Sequence, residues 1–364
     1  MILFSLQFIS TNIIFSTIIC TALIRLNKEK KHSNLELSLY CLGLGPIFTS
    51  LLLYYLLLFI PHQSYLFYFL SILVCYLFLS FVGRKYFSAL WADIINKIKN
   101  TKSMFKKLNT HHQIETILFS SVILILLSIF LFLYLANTLQ TPLDGTDALR
   151  YGTLGKIIFK EKSLEYRWIH LYPKTGFYYY MNHAPSFSLL LTWEKIVDSI
   201  FSAEKDLYYK SISTYYALLI LGIMFFWLFR KNKYLALLGI FSLLSGYAFF
   251  HTLITQHLDS YRIFFLFVSW IFLAYAIEKK DSLSFLLLGV FSGFAAFSHT
   301  IGAVLVVFNC LAVFIFLKGN LKYKLTKTTF VTITIIVFGW FHYILDIIWG
   351  YGWIIFNRNI TWWG

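Results

Sequence analysis

From Ile117 to Ala136 the chain runs without one charged side chain, long enough to cross the roughly 30 Å hydrocarbon core of a bilayer. Runs of this kind recur along the whole sequence, and they set the fold class. Charged residues make up only 13% of the chain and hydrophobic ones 59%, where soluble domains carry roughly 25% charge. The expected fold is all-α: a polytopic integral membrane protein.

Ten spans are expected, at about 2–24, 36–60, 65–83, 116–137, 211–229, 234–251, 260–277, 282–297, 300–317 and 328–349. The apolar run from Phe285 to Leu317 is too long for one helix and divides at Ser298-His299-Thr300, with Gly302 just beyond. Short loops rich in Lys and Arg stay cytoplasmic. An outer N-terminus puts 25–31, 84–115, 230–233, 278–281 and 318–327 inside, and these hold most of the 31 basic residues. The short outer connections 61–64, 252–259 and 298–300 hold none. The net charge of +15 is therefore a matter of topology and implies no nucleic-acid partner.

That topology makes residues 139–210 one long external loop, a type of segment that is usually functional in compact proteins. Within it, Phe187 to Phe201 carries Glu194, Lys195 and Asp198 opposite apolar residues at helical spacing, as in a helix lying in the interface. Tyr151 to Phe159 is expected to lie likewise. The 84–115 loop reads as a basic amphipathic surface segment held against anionic membrane lipids. The four cysteines fall inside apolar runs without metal-type spacing, so no disulfide is implied. MILFSLQF lacks the positive charge of a signal peptide, and the first span is expected to be retained. Asn359-Ile360-Thr361 is a glycosylation sequon, read as a chance match.

The external loop carries acid, base and aromatic groups where the chain has just left lipid. Asp144 and Asp147 come first, then Arg150 and Tyr151, later Lys174, the aromatic run Phe177 to Tyr180, and His183 ahead of Pro185. A carboxylate here could act as general base on an attacking hydroxyl or amine, or hold a divalent cation such as Mg or Mn beside a phosphate. Arg150 could bind that phosphate directly. The plainer reading is a hydrated turn with an Asp cap on a short helix, because TDALRYG also looks like a helix start.

This segment resembles the first external loop of polytopic glycosyltransferases with the GT-C fold, the superfamily that includes protein O-mannosyltransferases and lipid A aminoarabinose transferases. Those proteins carry Asp-Glu-x-Arg-Tyr or Asp-Glu-x-x-Tyr just after a transmembrane helix. About thirty residues later comes a Lys- or His-Pro-Pro-Leu element that opens a second juxtamembrane helix. The corresponding residues here are Asp147-Ala148-Leu149-Arg150-Tyr151 and His183-Ala184-Pro185-Ser186-Phe187. The family's Glu is Ala148, and its first Pro is Ala184. The resemblance covers about 116–349, leaving 1–115 as an addition of three helices plus a basic loop, and 350–364 as an external C-terminal segment. It implies Asp147 as catalytic base, with Asp144 as the second carboxylate.

A second group of polar residues lies at the outer end of the seventh span, in HTLITQHLDSYRIFF. His251, His257, Asp259 and Arg262 sit at or near the outer surface, with Asp259 and Arg262 three apart on one helix face. Charges at membrane depth are functional candidates, and phosphate suits Arg262; an Asp-Arg pair that anchors the helix at the interface is an equal reading. His299, at the break between spans eight and nine, faces the same side.

All these groups are expected on the outer leaflet, where nucleotide sugars are not available. The resemblance thus implies a polyprenyl-phosphate sugar donor, an acceptor that is lipid, glycan or protein, and a place in a bacterial inner membrane with the active site extracytoplasmic. Two other classes share these features. One is a polysaccharide polymerase or ligase; the other is a lipid-linked sugar transporter or flippase, which would favour buried mid-membrane charges or paired broken helices.

Overall fold

A computed structural model describes residues 2–27, 32–107, 110–140, 146–164, 185–201, 207–246 and 258–348, and the described residues contain helices and no strand. In chain order these are α1 (Ile2–Phe8), a π-helical segment (Ile9–Ile14), α2 (Phe15–Ile24), α3 (Asn34–Cys41), α4 (Leu44–Phe59), α5 (Tyr65–Lys107), α6 (Thr110–Gln140), α7 (Thr146–Glu161) and α8 (Ser186–Phe201). There follow α9 (Leu207–Phe229), α10 (Lys233–Ser245), α11 (Asp259–Lys279), α12 (Ser282–Ser298), α13 (Thr300–Phe316), α14 (Leu321–Ile335), a second π-helical segment (Ile336–Trp340) and α15 (Phe341–Ile348).

Among the described residues, six stretches are long and apolar enough to cross a membrane: Leu3–Ile24, Tyr65–Ser88, Gln113–Leu133, Leu207–Phe229, Asp259–Lys279 and Leu321–Leu345. Leu44–Phe59, Lys233–Ser245, Ser282–Ser298 and Thr300–Phe316 are apolar but shorter. The chain is thus a helical protein of multi-pass membrane character. One hydrophobic core runs from Phe15 in α2 to Tyr343 in α15 and takes in the N-terminal helices as well as the later ones.

The structure departs from the sequence expectations in three places. The first is the run 36–60, expected as one helix, which breaks at Leu42-Gly43. Pro46 explains the break, because it has no N–H to give the Leu42 carbonyl four residues earlier. That carbonyl instead accepts from Ser16 Oγ at 2.6 Å and Tyr215 Oη at 2.7 Å, and the Gly43 carbonyl accepts from Tyr216 Oη at 2.7 Å. Lipid offers no such donors, so the protein supplies them from α2 and α9.

The second departure is in the basic segment 84–115, whose expected amphipathic segment is not separate from the preceding span. Beyond Gly83 no Gly or Pro interrupts the helix, and α5 continues unbroken through 43 residues. At 1.5 Å per residue that is about 65 Å, twice the bilayer core, so the same helix continues well past the span.

Third, α8 is enclosed rather than half sunk in an interface. Both its apolar residues and its polar ones, Ser186, Ser188, Thr192, Glu194 and Asp198, are buried. Gly155 allows α7 to cross it closely, since a Cβ there would stand 2.5 Å from the Ser188 carbonyl oxygen. Thr192 Oγ1 donates to the Gly155 carbonyl at 3.0 Å in the same crossing. On the other side the Trp193 ring stacks on Phe69 of α5 at 5.7 Å, and its Nε1 donates to Thr11 Oγ1 at 3.2 Å.

Contacts between segments gather at two ends. At one end His62 N donates to the Lys162 carbonyl at 2.8 Å, Tyr65 stacks on Phe159 at 4.3 Å, and Tyr54 meets Phe297 at 5.6 Å. At the other, Arg230 pairs with Glu36 at 3.0 Å, Lys233 with Glu115 at 2.5 Å, and His32 meets Ser284 at 2.9 Å. The helices α9 and α11 run between these ends, each about 30 Å long.

Candidate functional site

Four helices begin around the ring of Phe187, the second residue of α8. Its centroid lies 5.9 Å from Tyr151 of α7, edge-on at 86°, 4.7 Å from Tyr209 of α9 and 5.5 Å from Tyr261 of α11. All four rings are buried. Such pairs contribute about 0.5–1.5 kcal/mol each beyond the area they bury. They also bring the N-terminal turns of four helices together, the first turns of α8, α9 and α11 and the second turn of α7. Helix N-termini carry partial positive charge, and at α9 the anion that meets it is a side chain of the protein.

Glu194 makes one of these ends permanent. From the second half of α8 its carboxylate accepts from Tyr208 N at 2.7 Å and Tyr209 N at 2.9 Å. A buried carboxylate is thereby satisfied, and α9 is capped. Beside Phe187, the Ser188 hydroxyl is buried and has no hydrogen-bond partner among the described residues, and the buried hydroxyls of Ser186 and Tyr261 interact with each other.

The residues singled out from the sequence distribute as follows. Asp147 and Arg150 lie in the first turns of α7, although their side chains are outside the described ones. Tyr151 packs on Phe187. Asp144, Lys174, His183, His251 and His257 lie outside the described residues. Asp259 and Arg262 open α11 and pair with each other at 2.6 Å, both partly exposed. His299 caps α13, its Nδ1 accepting from Ile301 N at 3.0 Å, which commits one ring nitrogen to structure. The Phe187 cluster thus joins the helix starts that carry Asp147, Arg150, Tyr151, Asp259 and Arg262.

A comparison of the chain with protein-family models, curated proteins and solved structures finds no match. The chemistry therefore rests on the residues themselves. Among the described residues no group of three or more His, Cys, Asp or Glu side chains is arranged to hold a metal.

A second polar cluster, at the opposite ends of α9 and α11, went unnoticed in the sequence. Glu36 of α3 is buried and accepts from Tyr275 Oη at 2.5 Å, Tyr40 Oη at 3.0 Å and both Arg230 terminal nitrogens, at 3.4 and 3.0 Å. Close by, His32 Nε2 lies 2.9 Å from Ser284 Oγ and 3.4 Å from Asp281 Oδ2. Burial pushes the Asp281 carboxyl up. Hydrogen bonds from His32 and Ser284 outweigh that and hold it well below the usual carboxylate range. Ser284, His32 and Asp281 are the residue types of a nucleophilic triad, but not its wiring. Hydroxyl and carboxylate share Nε2, and Ser284 gives its own proton to Asp281 at 2.5 Å, leaving it no base. The available signal in the sequence was an acidic residue, Glu36, at a span end otherwise marked by basic ones.

Proposed function

We propose that this chain is a polytopic glycosyltransferase that moves a sugar from a polyprenyl-phosphate carrier to a lipid, glycan or protein acceptor on the extracytoplasmic face of a bacterial inner membrane. The proposal includes ten spans, the four shorter apolar helices crossing with the six long ones, and an outer N-terminus. It also takes up the GT-C resemblance of the segments around Asp147 and His183.

One observation carries it. The helix bearing Asp147 and Arg150, the helix entered through His183-Ala184-Pro185, and the helix opened by Asp259 and Arg262 all start at the Phe187 cluster. In this reading Asp147 is the general base that takes the acceptor's proton. Arg150, Arg262 and Lys174 bind the carrier phosphate, and Tyr151, His183, His257, Asp259 and His299 line the donor and acceptor. A divalent cation, Mg or Mn, held by Asp144 and Asp147 would offset the phosphate's charge.

The break at Leu42-Gly43 bears on the transporter alternative, which uses broken helices whose exposed ends face a substrate. Here the carbonyls freed at the break already accept from Ser16, Tyr215 and Tyr216. The test is a transfer assay in liposomes with purified protein, mixed polyprenyl-phosphate sugars and a membrane extract as acceptor, with Asp147→Asn alongside. Loss of sugar from the carrier with wild type only is the expected result. An intact carrier in both, from folded protein, overturns the transferase reading, and near-normal transfer by the variant removes Asp147 as base.

A further inference from the structure

The hydrogen bonds around His32 have a fixed direction. Lys279 Nζ lies 3.3 Å from His32 Nδ1; an ammonium has only protons to give, so Nδ1 is the acceptor and carries none. Asp281, a carboxylate, can only accept, and it takes the Ser284 hydroxyl proton at 2.5 Å and the Ser284 N–H at 2.9 Å. With its proton spent, Ser284 Oγ accepts from Nε2–H of His32 at 2.9 Å. The chain of donors runs one way: Lys279 to His32, His32 to Ser284, Ser284 to Asp281. In this arrangement His32 donates through Nε2 and accepts at Nδ1.

Every link but Lys279 is buried, and the ring has nowhere to turn. His32 packs against Phe272 at 6.1 Å and Tyr275 at 5.2 Å, and its carbonyl accepts from Asn27 Nδ2 at 2.8 Å. Among the described residues, the charged groups facing it from the packed elements are Lys279 on α11 and Asp281 ahead of α12, with Glu36 of α3, Arg230 after α9 and Glu278 acting on Lys279.

We propose that His32 Nδ1 is a proton-binding site for which the Lys279 ammonium is the competitor. A proton added at Nδ1 sets two donors and two positive charges 3.3 Å apart, and no geometry satisfies both. Asp281, 3.4 Å from Nε2, retains the imidazolium where it is. Lys279 lies 3.9 Å over the Tyr275 ring on a flexible stem, so it is the group that leaves. Acidification exchanges a lysine contact for a proton, loosening the tie between the segment around His32 and the end of α11 while the tie to α12 persists. The device is separate from the proposed transfer chemistry, about one helix length away.

One comparison tests it. In the wild-type protein in detergent, acetylation of Lys279 is compared by mass spectrometry with that of the neighbouring exposed Lys280, at about pH 8 and about pH 6, the range over which imidazoles titrate. The Lys279-to-Lys280 ratio is expected to rise severalfold on acidification. In His32→Gln, whose amide offers one acceptor and one donor but takes up no proton, it stays flat. A constant ratio in wild type, or an equal rise in the variant, overturns the proposal.

Discussion

Glu194 and Tyr209 stand fifteen residues apart, and the carboxylate of the first accepts the backbone N–H of the second at 2.9 Å. The same side chain takes the Tyr208 N–H at 2.7 Å. Because Tyr209 also packs on Phe187, the enclosed helix α8 fixes α9 by its carboxylate and by a ring at once.

Removal of that carboxylate should be costly. Glu194→Ala leaves two buried N–H groups unpaired and is expected to lower stability by about 3 kcal/mol, the order of two bonds to a charged acceptor. Glu194→Gln keeps an acceptor and should lose less than half as much. Thermal unfolding in detergent compares the two; equal, small losses would mean that water replaces the cap.

Ser16 and Tyr215 both serve the Leu42 carbonyl, so their losses should not add. Ser16→Ala and Tyr215→Phe alone each leave one donor and are expected to cost about 1 kcal/mol. Together they orphan the carbonyl and should exceed the sum by about 1 kcal/mol or more. A double-mutant cycle in the unfolding free energy reads this directly, and strict additivity would count against shared capping.

Arg262 pairs with Asp259 at 2.6 Å in the first turn of α11, next in sequence to Tyr261 of the Phe187 cluster. In the transferase reading Arg262→Ala should raise the donor KM roughly tenfold to a hundredfold, the worth of one charge-assisted contact, with kcat less affected. A donor titration that leaves KM unchanged removes Arg262 from the site.

Stability near Asp281 should depend on acid in one direction. Its folded carboxyl sits below the usual range, so the ionised form is favoured by folding. That contribution is complete above about pH 4, the ordinary Asp value, and is lost as the pH falls through the folded value. Asp281→Asn is expected to melt below wild type at neutral pH, and the gap should narrow as the pH drops under about 4. Melting curves at a series of pH values give the result; a gap that widens in acid contradicts it.

Much of the helical layout was legible because uncharged runs and basic loops are properties of the chain alone. The break in the second expected span was also written there, as Gly43-Leu44-Gly45-Pro46; its meaning needed Tyr215 and Tyr216, supplied from far along the sequence. The burial of α8 was not legible. A helix with Glu194 and Asp198 opposite leucines looks the same whether its polar face meets water or a partner's N-terminus. Glu36, His32 and Asp281 escaped for a similar reason, since each draws its meaning from a segment distant in the chain. Asp147 and Arg150 were singled out by spacing and resemblance, and the meeting of their helix with α8, α9 and α11 through Tyr151 at the Phe187 ring came only from the fold.

The plugged break at Leu42-Gly43 also bears on how the protein is made. The donors that Tyr215 and Tyr216 bring lie 173 residues downstream, so much of the chain must leave the ribosome before they arrive. Until α9 enters the bilayer, the newly inserted N-terminal helices carry carbonyls that only Ser16, stray water or an insertion chaperone can occupy. A ribosome paused before Tyr215 would display a nascent chain whose first helices are vulnerable to membrane quality-control proteases. Synthesis past Tyr216 would close that window, making α9 a checkpoint in biogenesis as well as a strut in the finished fold.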